Sequence, residues 1–283
     1  MRVMAEFNMR SNWRFPPSGP KRGTRIFERQ GHDLAAYEII GEDRRARWLV
    51  TCDHATNRVP QDVGAGSLGI AAADMERHIA YDLGAAGLTR ALAERLGATA
   101  ILSDFSRLVI DANRGEEDPT LVMKLYDGTI IPANRAVGPA EVERRLETLY
   151  RPYHREYARL AARRADTVIV AVHSFTPCLK GRPPRPWHVG VLYSYLDDRL
   201  SKPLIARLEA LGDLCVGDNE PYAGHLPGDA IDLHSLRHGR QNTLIEVRND
   251  LIRSAQEQEA WAERLAPLLE AALIDAEAGA PHL

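Results

Sequence analysis

Two apolar runs in this chain stop on a histidine: WLVTCDH ends at His54 and TVIVAVH ends at His173. Parallel neighbouring strands that end this way would bring two imidazoles to one edge of a sheet. A metal ion could be held there, because neutral imidazole is a good borderline donor. The bland alternative is that each ring caps its strand by bonding a loop carbonyl. A catalytic zinc site takes three protein ligands and keeps a position open for water, so a third group is needed. Asp53, Asn57, His78, Asp82 and Glu246 are the candidates. Asn57 lies three residues after His54, the spacing at which many zinc peptidases place a glutamate, but an amide oxygen is a poor ligand beside a carboxylate. Asp82 follows His78 by four residues, so on one helix the two would share a face. An ordinary pair between Asp82 and His78, or a nearby arginine, is the structural alternative.

RLVIDANR and TLIEVRND form a second matched pair, each an apolar run that passes directly into an acid and an arginine. The fixed fork of arginine suits a carboxylate, so Arg107, Arg114 and Arg248 could read an acidic substrate. Structural pairs between Asp111 and Arg114, or Glu246 and Arg248, compete with that reading. Glu246 differs from the rest because it sits inside TLIEVR, where an unpaired charge is costly to bury.

The elements that would position these groups follow from hydrophobic period. AYEII, RWLVTCDH, ATAILSD, RLVID, TVIVAVH, HVGVLYS, LCVGD and TLIEVR read as strands. A helical spacing runs from Ala72 to Leu96, with Gly97 as a stop and Gly84 and Gly87 weakening or dividing it. A helical stripe after Pro139 runs through Val142, Leu146, Leu149, Tyr153, Tyr157 and Leu160, and Pro152 predicts a kink or two consecutive helices. Further helices are expected around Lys202 to Leu211 and from Ala255 to Ala276. Residues 114–135 read as a long loop or lid, and Pro177 to Pro186 as a proline-rich connection. Strands alternating with helices imply an α/β fold whose largely parallel or mixed sheet is covered on both faces, with sites at the carboxyl ends of strands.

With 283 residues and 45% hydrophobic content, one domain is expected over 37–283, preceded by a flexible arm over 1–36. A net charge of -3 is too balanced for a nucleic-acid footprint, and Arg44-Arg45 and Arg163-Arg164 read as solvated faces. Three cysteines without a C-x-x-C pair suggest neither a disulfide framework nor a cysteine-rich zinc site. The start of the chain lacks the apolar run of a secretion signal, and no stretch approaches the roughly 20 apolar residues of a membrane span. A cytoplasmic protein that engages neither membrane nor nucleic acid is expected.

CDHATNRVP, HIAYDLGA, SRLVIDANR, VHSFTP, NEPYAG and RHGRQNTLIEVRNDLI, in this order, resemble the motif series of the N-formylglutamate amidohydrolase family. The resemblance covers about Tyr37 to Arg253. It implies a phosphorylase/hydrolase-like α/β fold similar to the zinc carboxypeptidases, and hydrolysis of a small acidic N-acyl amino acid such as N-formyl-L-glutamate. It implies His54 and His173 as zinc ligands, Glu246 as the carboxylate that handles protons, and Asn113 with Arg114 as contacts for the substrate carboxylate. Tyr222, His238 and Arg248 fall in family motifs as further substrate-site candidates, with Arg107 and Asn57. Asn57 is the departure, standing where related zinc peptidases carry a glutamate ligand. Zinc-dependent cell-wall amidases of similar architecture take their acidic ligand from the helix after the first strand, which points to Asp82 as the third ligand. Three rivals stand beside this reading: a zinc amidase acting on a peptide or cell-wall fragment, a Cys-His hydrolase using Cys52, and a metal-free small-acid binder.

Overall fold

A computed structural model describes residues 36–279 of the chain; the expected arm, apart from Ala36, lies outside them. In chain order the strands are β1 (Tyr37–Ile40), β2 (Trp48–Cys52), β3 (Thr99–Ser103), β4 (Leu125–Tyr126), β5 (Thr129–Ile130), β6 (Val168–Phe175), β7 (Val189–Leu192), β8 (Val216–Asp218) and β9 (Asn242–Arg248). The helices are α1 (Ala72–Met75), α2 (Ala85–Arg95), α3 (Pro132–Arg135), α4 (Pro139–Arg145), α5 (Arg151–Ala161), α6 (Ser201–Glu209), α7 (Ala230–His234) and α8 (Ala255–Ala278).

Seven strands form one mixed sheet in the order β1-β3-β2-β6-β9-β7-β8. The centre, β3-β2-β6-β9, is parallel, while β1 joins β3 and β7 joins β9 in antiparallel fashion. The pleat sorts the two cores. Val168, Val170 and Val172 of β6 face one cluster with Leu88 and Leu92 of α2, Leu204 of α6 and Leu265 of α8. Ile169 and Ala171 face the other, with Tyr153 and Tyr157 of α5. Strand residues two apart share a face, so His173 and Phe175 continue the face of Ile169 and Ala171. Among the described residues no helix is long and apolar enough to cross a membrane.

Two expectations change, and one open alternative is decided. The helical stretch from Ala72 to Leu96 is divided, one of the two outcomes its glycines allowed: α1 is four residues, residues 76–84 are irregular, and α2 begins only at Ala85. Gly84 stands where α2 begins, with φ +79 and a backbone so close to Ile252 that a Cβ would stand 2.1 Å from its carbonyl oxygen. His78 and Asp82 therefore do not share a helical face. RLVID is not a strand either. Leu108, Val109 and Ile110 are fully buried, but the segment is a turn in which the N–H groups of Arg107, Val109 and Asp111 donate to the carbonyls of Ala80, Ser106 and Leu121. Apolar periodicity reports burial, and here burial comes without a sheet partner. The 114–135 segment carries a two-stranded ribbon, β4-β5, and the short α3. Pro152 sits in the first turn of α5, after one π-helical turn over Leu146–Tyr150 that joins it to α4. The helix is continuous through this point, and the wider turn directly before Pro152 is the local adjustment at a residue with no N–H to give it.

Candidate metal and substrate site

The register of the parallel strands builds the site. His173 on β6 is the partner of Glu246 on β9. On its other side, Thr51 of β2 pairs with Ala171, so continuing two residues brings Asp53 level with His173. His54 follows as the chain leaves the sheet, and its ring meets that of His173 edge to face with centroids 5.0 Å apart. Asp82 is delivered by the irregular segment: its backbone N–H donates to the His54 carbonyl at 2.9 Å, which turns its carboxylate between the two rings. Asp82 Oδ2 lies 2.8 Å from His173 Nδ1 and 3.4 Å from His54 Nδ1. All three residues are buried, and their ligand atoms fall within 4.8 Å of one another.

A second set of carboxylates stands behind the rings. His54 Nε2 donates to Asp111 Oδ1 at 2.7 Å, and His173 Nε2 faces Asp53 Oδ2 at 3.5 Å. A ring whose Nε2 proton is engaged by a carboxylate presents a lone pair at Nδ1, which is how histidine ligands of metals are usually oriented. Tyr153 donates to Asp53 Oδ1 at 2.5 Å, fixing that carboxylate from α5. Arg107 holds Asp111 Oδ2 at 2.9 Å and stands 3.5 Å from Asp82 Oδ1.

The electrostatics show what the site lacks. Four buried carboxylates, Asp53, Asp82, Asp111 and Glu246, face one buried guanidinium, Arg107. Burial works against the Asp82 carboxylate, yet His54 and His173 outweigh it and hold its pKa far below the usual range. Burial likewise opposes the His173 imidazolium, but Asp53 and Asp82 hold its pKa well above the ordinary value. Carboxylates that pull this strongly on a buried ring mark a place that demands positive charge. Burial pushes Glu246 up to about 7, with His173 pulling the other way and Asp82 adding to the rise. Among the described residues its Oε2 is buried without a hydrogen-bond partner, as are Asp53 Oδ2 and His173 Nε2. Converging N and O donors, excess buried negative charge and an unsatisfied carboxylate beside them fit a divalent ion. The His54, Asp82 and His173 group could bind a metal ion.

The matching family model, N-formylglutamate amidohydrolase, covers residues 46–253. The chain belongs to that family. A crystal structure of gene product Atu2144 from Agrobacterium tumefaciens shares 35% identity with a TM-score of 0.80, over 86% of this chain and 96% of that one. The N-formylglutamate amidohydrolase from Ralstonia eutropha JMP134 shares the fold at 21% identity and a TM-score of 0.55, over 87% of this chain and 98% of that one. No functionally curated protein matches the chain.

A cavity of about 280 Å³ opens over the three candidate ligands. Glu246, Arg107, Asn113, Arg114 and Tyr222 also line it. Arg114 donates to the Asn113 carbonyl and to Thr120 but, among the described residues, has no carboxylate partner. Asn113 accepts from Ala230 N at 3.2 Å, which ties this loop to the start of α7. Three substrate-site candidates lie elsewhere. Asn57 donates to the Met75 carbonyl and Glu76, bracing the irregular segment. His238 is exposed at the end of a 3-10 turn. Arg248 pairs with Asp250 at 2.8 Å and reaches the carbonyls of Arg185 and Trp187. The alternative pair between Asp111 and Arg114 is not formed: the Asp111 carboxylate serves His54 and Arg107. An acid closing a fully buried run was the available signal.

Proposed function

We propose that this chain is a zinc-dependent amidohydrolase that cleaves a small acidic N-acyl amino acid, with N-formyl-L-glutamate, giving formate and L-glutamate, as the named candidate. The observation that carries the reading is Glu246, a buried carboxylate in register with His173, whose Oε2 has no hydrogen-bond partner among the described residues. His54, Asp82 and His173 would hold the ion. When bound there, zinc supplies Lewis acidity to the amide carbonyl and to water.

The chain's own residues do the rest. Glu246 accepts a proton from the attacking water and returns it to the leaving nitrogen, and a pKa near 7 suits both duties. Arg114 holds a substrate carboxylate, since its guanidinium lines the cavity uncommitted to an acid. Asp111 keeps the His54 imidazole turned inward through its bond to Nε2, and Asp53 stands 3.5 Å behind His173 Nε2. Burial of the whole cluster strengthens each of these interactions.

The test is to supply zinc-loaded protein with N-formyl-L-glutamate, other N-acyl dicarboxylates and neutral N-acyl amino acids, and to follow release of the free amine. Preferential turnover of the acidic substrates is expected. Protein that holds the ion and hydrolyses none of them is not this enzyme.

A further inference from the structure

Tyr222 lines the cavity, yet it is 41% exposed, and among the described residues its hydroxyl has a single partner, Arg185. Arg185 Nη1 donates to that hydroxyl oxygen at 2.9 Å and to the Thr176 carbonyl at 3.2 Å. Its guanidinium carbon lies 4.9 Å from the centre of the Tyr222 ring and 5.7 Å from that of Phe175. No carboxylate among the described residues pairs with it, in contrast to Arg107 and Arg248 nearby. Unlike Arg114, Arg185 does not line the cavity itself, so what it can order there is a group it touches, and Tyr222 is the lining side chain it hydrogen-bonds.

The surroundings separate backbone from side chain. The chain on either side of Tyr222 is seated directly on β7 and β8: a Cβ at Gly224 would stand 2.0 Å from Tyr193 N, and one at Gly190 or Gly217 would stand 2.0 or 2.6 Å from the Glu220 carbonyl oxygen. The loop is thereby fixed, whereas the ring projects beyond it. Arg185 is itself braced from β9, because Arg248 donates to the carbonyls at 185 and 187.

Building on the proposed function, we propose that Arg185 is a positioning residue that fixes the Tyr222 ring over the cavity, leaving the hydroxyl proton to donate to an oxygen of the substrate held beside Glu246. The donor from Arg185 occupies a lone pair of the phenol oxygen, so the phenol's own proton must point elsewhere, and the open side is the cavity. Burial and the Glu246 charge push Tyr222 up to about 12, Arg185 pulling against them, so the phenol remains a donor at neutral pH.

The test uses the full zinc-loaded chain in a double-mutant cycle of Arg185→Gln and Tyr222→Phe, with Arg185→Lys as a conservative partner. Each single change is expected to lower kcat/KM about tenfold, the scale of one hydrogen bond to a charged group. The double variant should be no worse than either single one, and Arg185→Lys should recover part of the loss. Losses that multiply would show that Arg185 does not act through Tyr222. A second readout needs no turnover: with 3-fluorotyrosine at position 222, 19F NMR should show the phenol titrating at higher pH in Arg185→Gln than with arginine present, while the thermal melt stays unchanged. An unmoved titration overturns the proposal whether or not the protein hydrolyses an amide. A moved titration in a protein without hydrolase activity upholds the contact and rejects the function above.

Discussion

Glu246 stands beside His173 across the parallel pair β6 and β9, in register and on the same face of the sheet. This places a carboxylate with a free, buried oxygen next to a candidate ligand, and no loop has to move to bring it there. The sheet's hydrogen-bond ladder thus sets the spacing between the group that would hold the ion and the group that would carry the proton.

Glu246→Gln keeps the shape of the side chain and removes its proton affinity. The variant is expected to fold, hold zinc and bind substrate, while kcat falls roughly a hundredfold or more. Metal content and kcat are measured on one preparation. Near-normal turnover rejects the role, and joint loss of metal and activity makes Glu246 a ligand instead.

Wild-type protein is expected to take up about one zinc ion per chain, and the His54→Ala, His173→Ala double variant to take up none. Asp82→Asn should weaken binding as well, because its carboxylate touches both rings. Elemental analysis after exhaustive dialysis decides; a wild type that stays metal-free removes the ion from the scheme.

Much of this site was legible before any coordinates. Matching strand ends predicted that His54 and His173 would meet, and β2 and β6 are indeed parallel neighbours. A carboxylate buried within TLIEVR stood out because burial without a partner is costly. A division near Gly84 was legible, since a glycine there could split the helical period; that the chain already leaves the helix at residue 76, and that Gly84 seats on the Ile252 carbonyl across 168 residues of chain, was not. RLVID misled for a related reason, since a fully apolar run reads alike whether it is paired in a sheet or merely buried. Arg248 shares a motif with Glu246, yet its partner Asp250 decides where its fork goes.

Asp111→Asn tests the outer carboxylate. Its Oδ1 receives the His54 Nε2 proton and its Oδ2 receives Arg107, so the amide would weaken both contacts without emptying the space. Zinc affinity, measured by competition with a chelator, is expected to fall about 10- to 100-fold, the usual scale for a partner of a ligating histidine. Unchanged affinity would mean that Asp111 serves Arg107 alone.

Arg114→Lys keeps the charge and loses the fork. The loss in kcat/KM should be much larger for acidic N-acyl amino acids than for neutral ones. Equal losses on both series would make Arg114 a support for its loop, through its contacts with Thr120 and the Asn113 carbonyl.

A buried histidine pair beneath the same loop makes stability depend on pH. His154 Nε2 bonds the Ala112 carbonyl at 3.0 Å, and since a carbonyl only accepts, that nitrogen carries the proton. His154 Nδ1 then accepts from His234 Nε2 at 2.8 Å, and both rings are neutral in this arrangement. Tyr150 packs on His154 and Tyr157 on His234, with ring centres 4.1 and 4.0 Å apart. Burial pushes His154 down to about 4, and burial reinforced by the charge His154 would carry holds His234 well below its ordinary value. In the unfolded chain both titrate near 6.5. Below that pH the unfolded state therefore binds protons that the folded state refuses. The contribution of the pair is fully present above about pH 6.5 and is lost as the pH falls toward about 4, by up to about 1.4 kcal/mol per pH unit for each ring. Urea unfolding at a series of pH values, comparing wild type with a His154→Gln, His234→Gln variant, isolates this term because His173 and Glu246 contribute alike to both proteins. The wild type should lose stability more steeply over that window than the variant. Parallel curves would mean that the pair accepts a proton within the fold, with the Ala112 loop shifting to accommodate it.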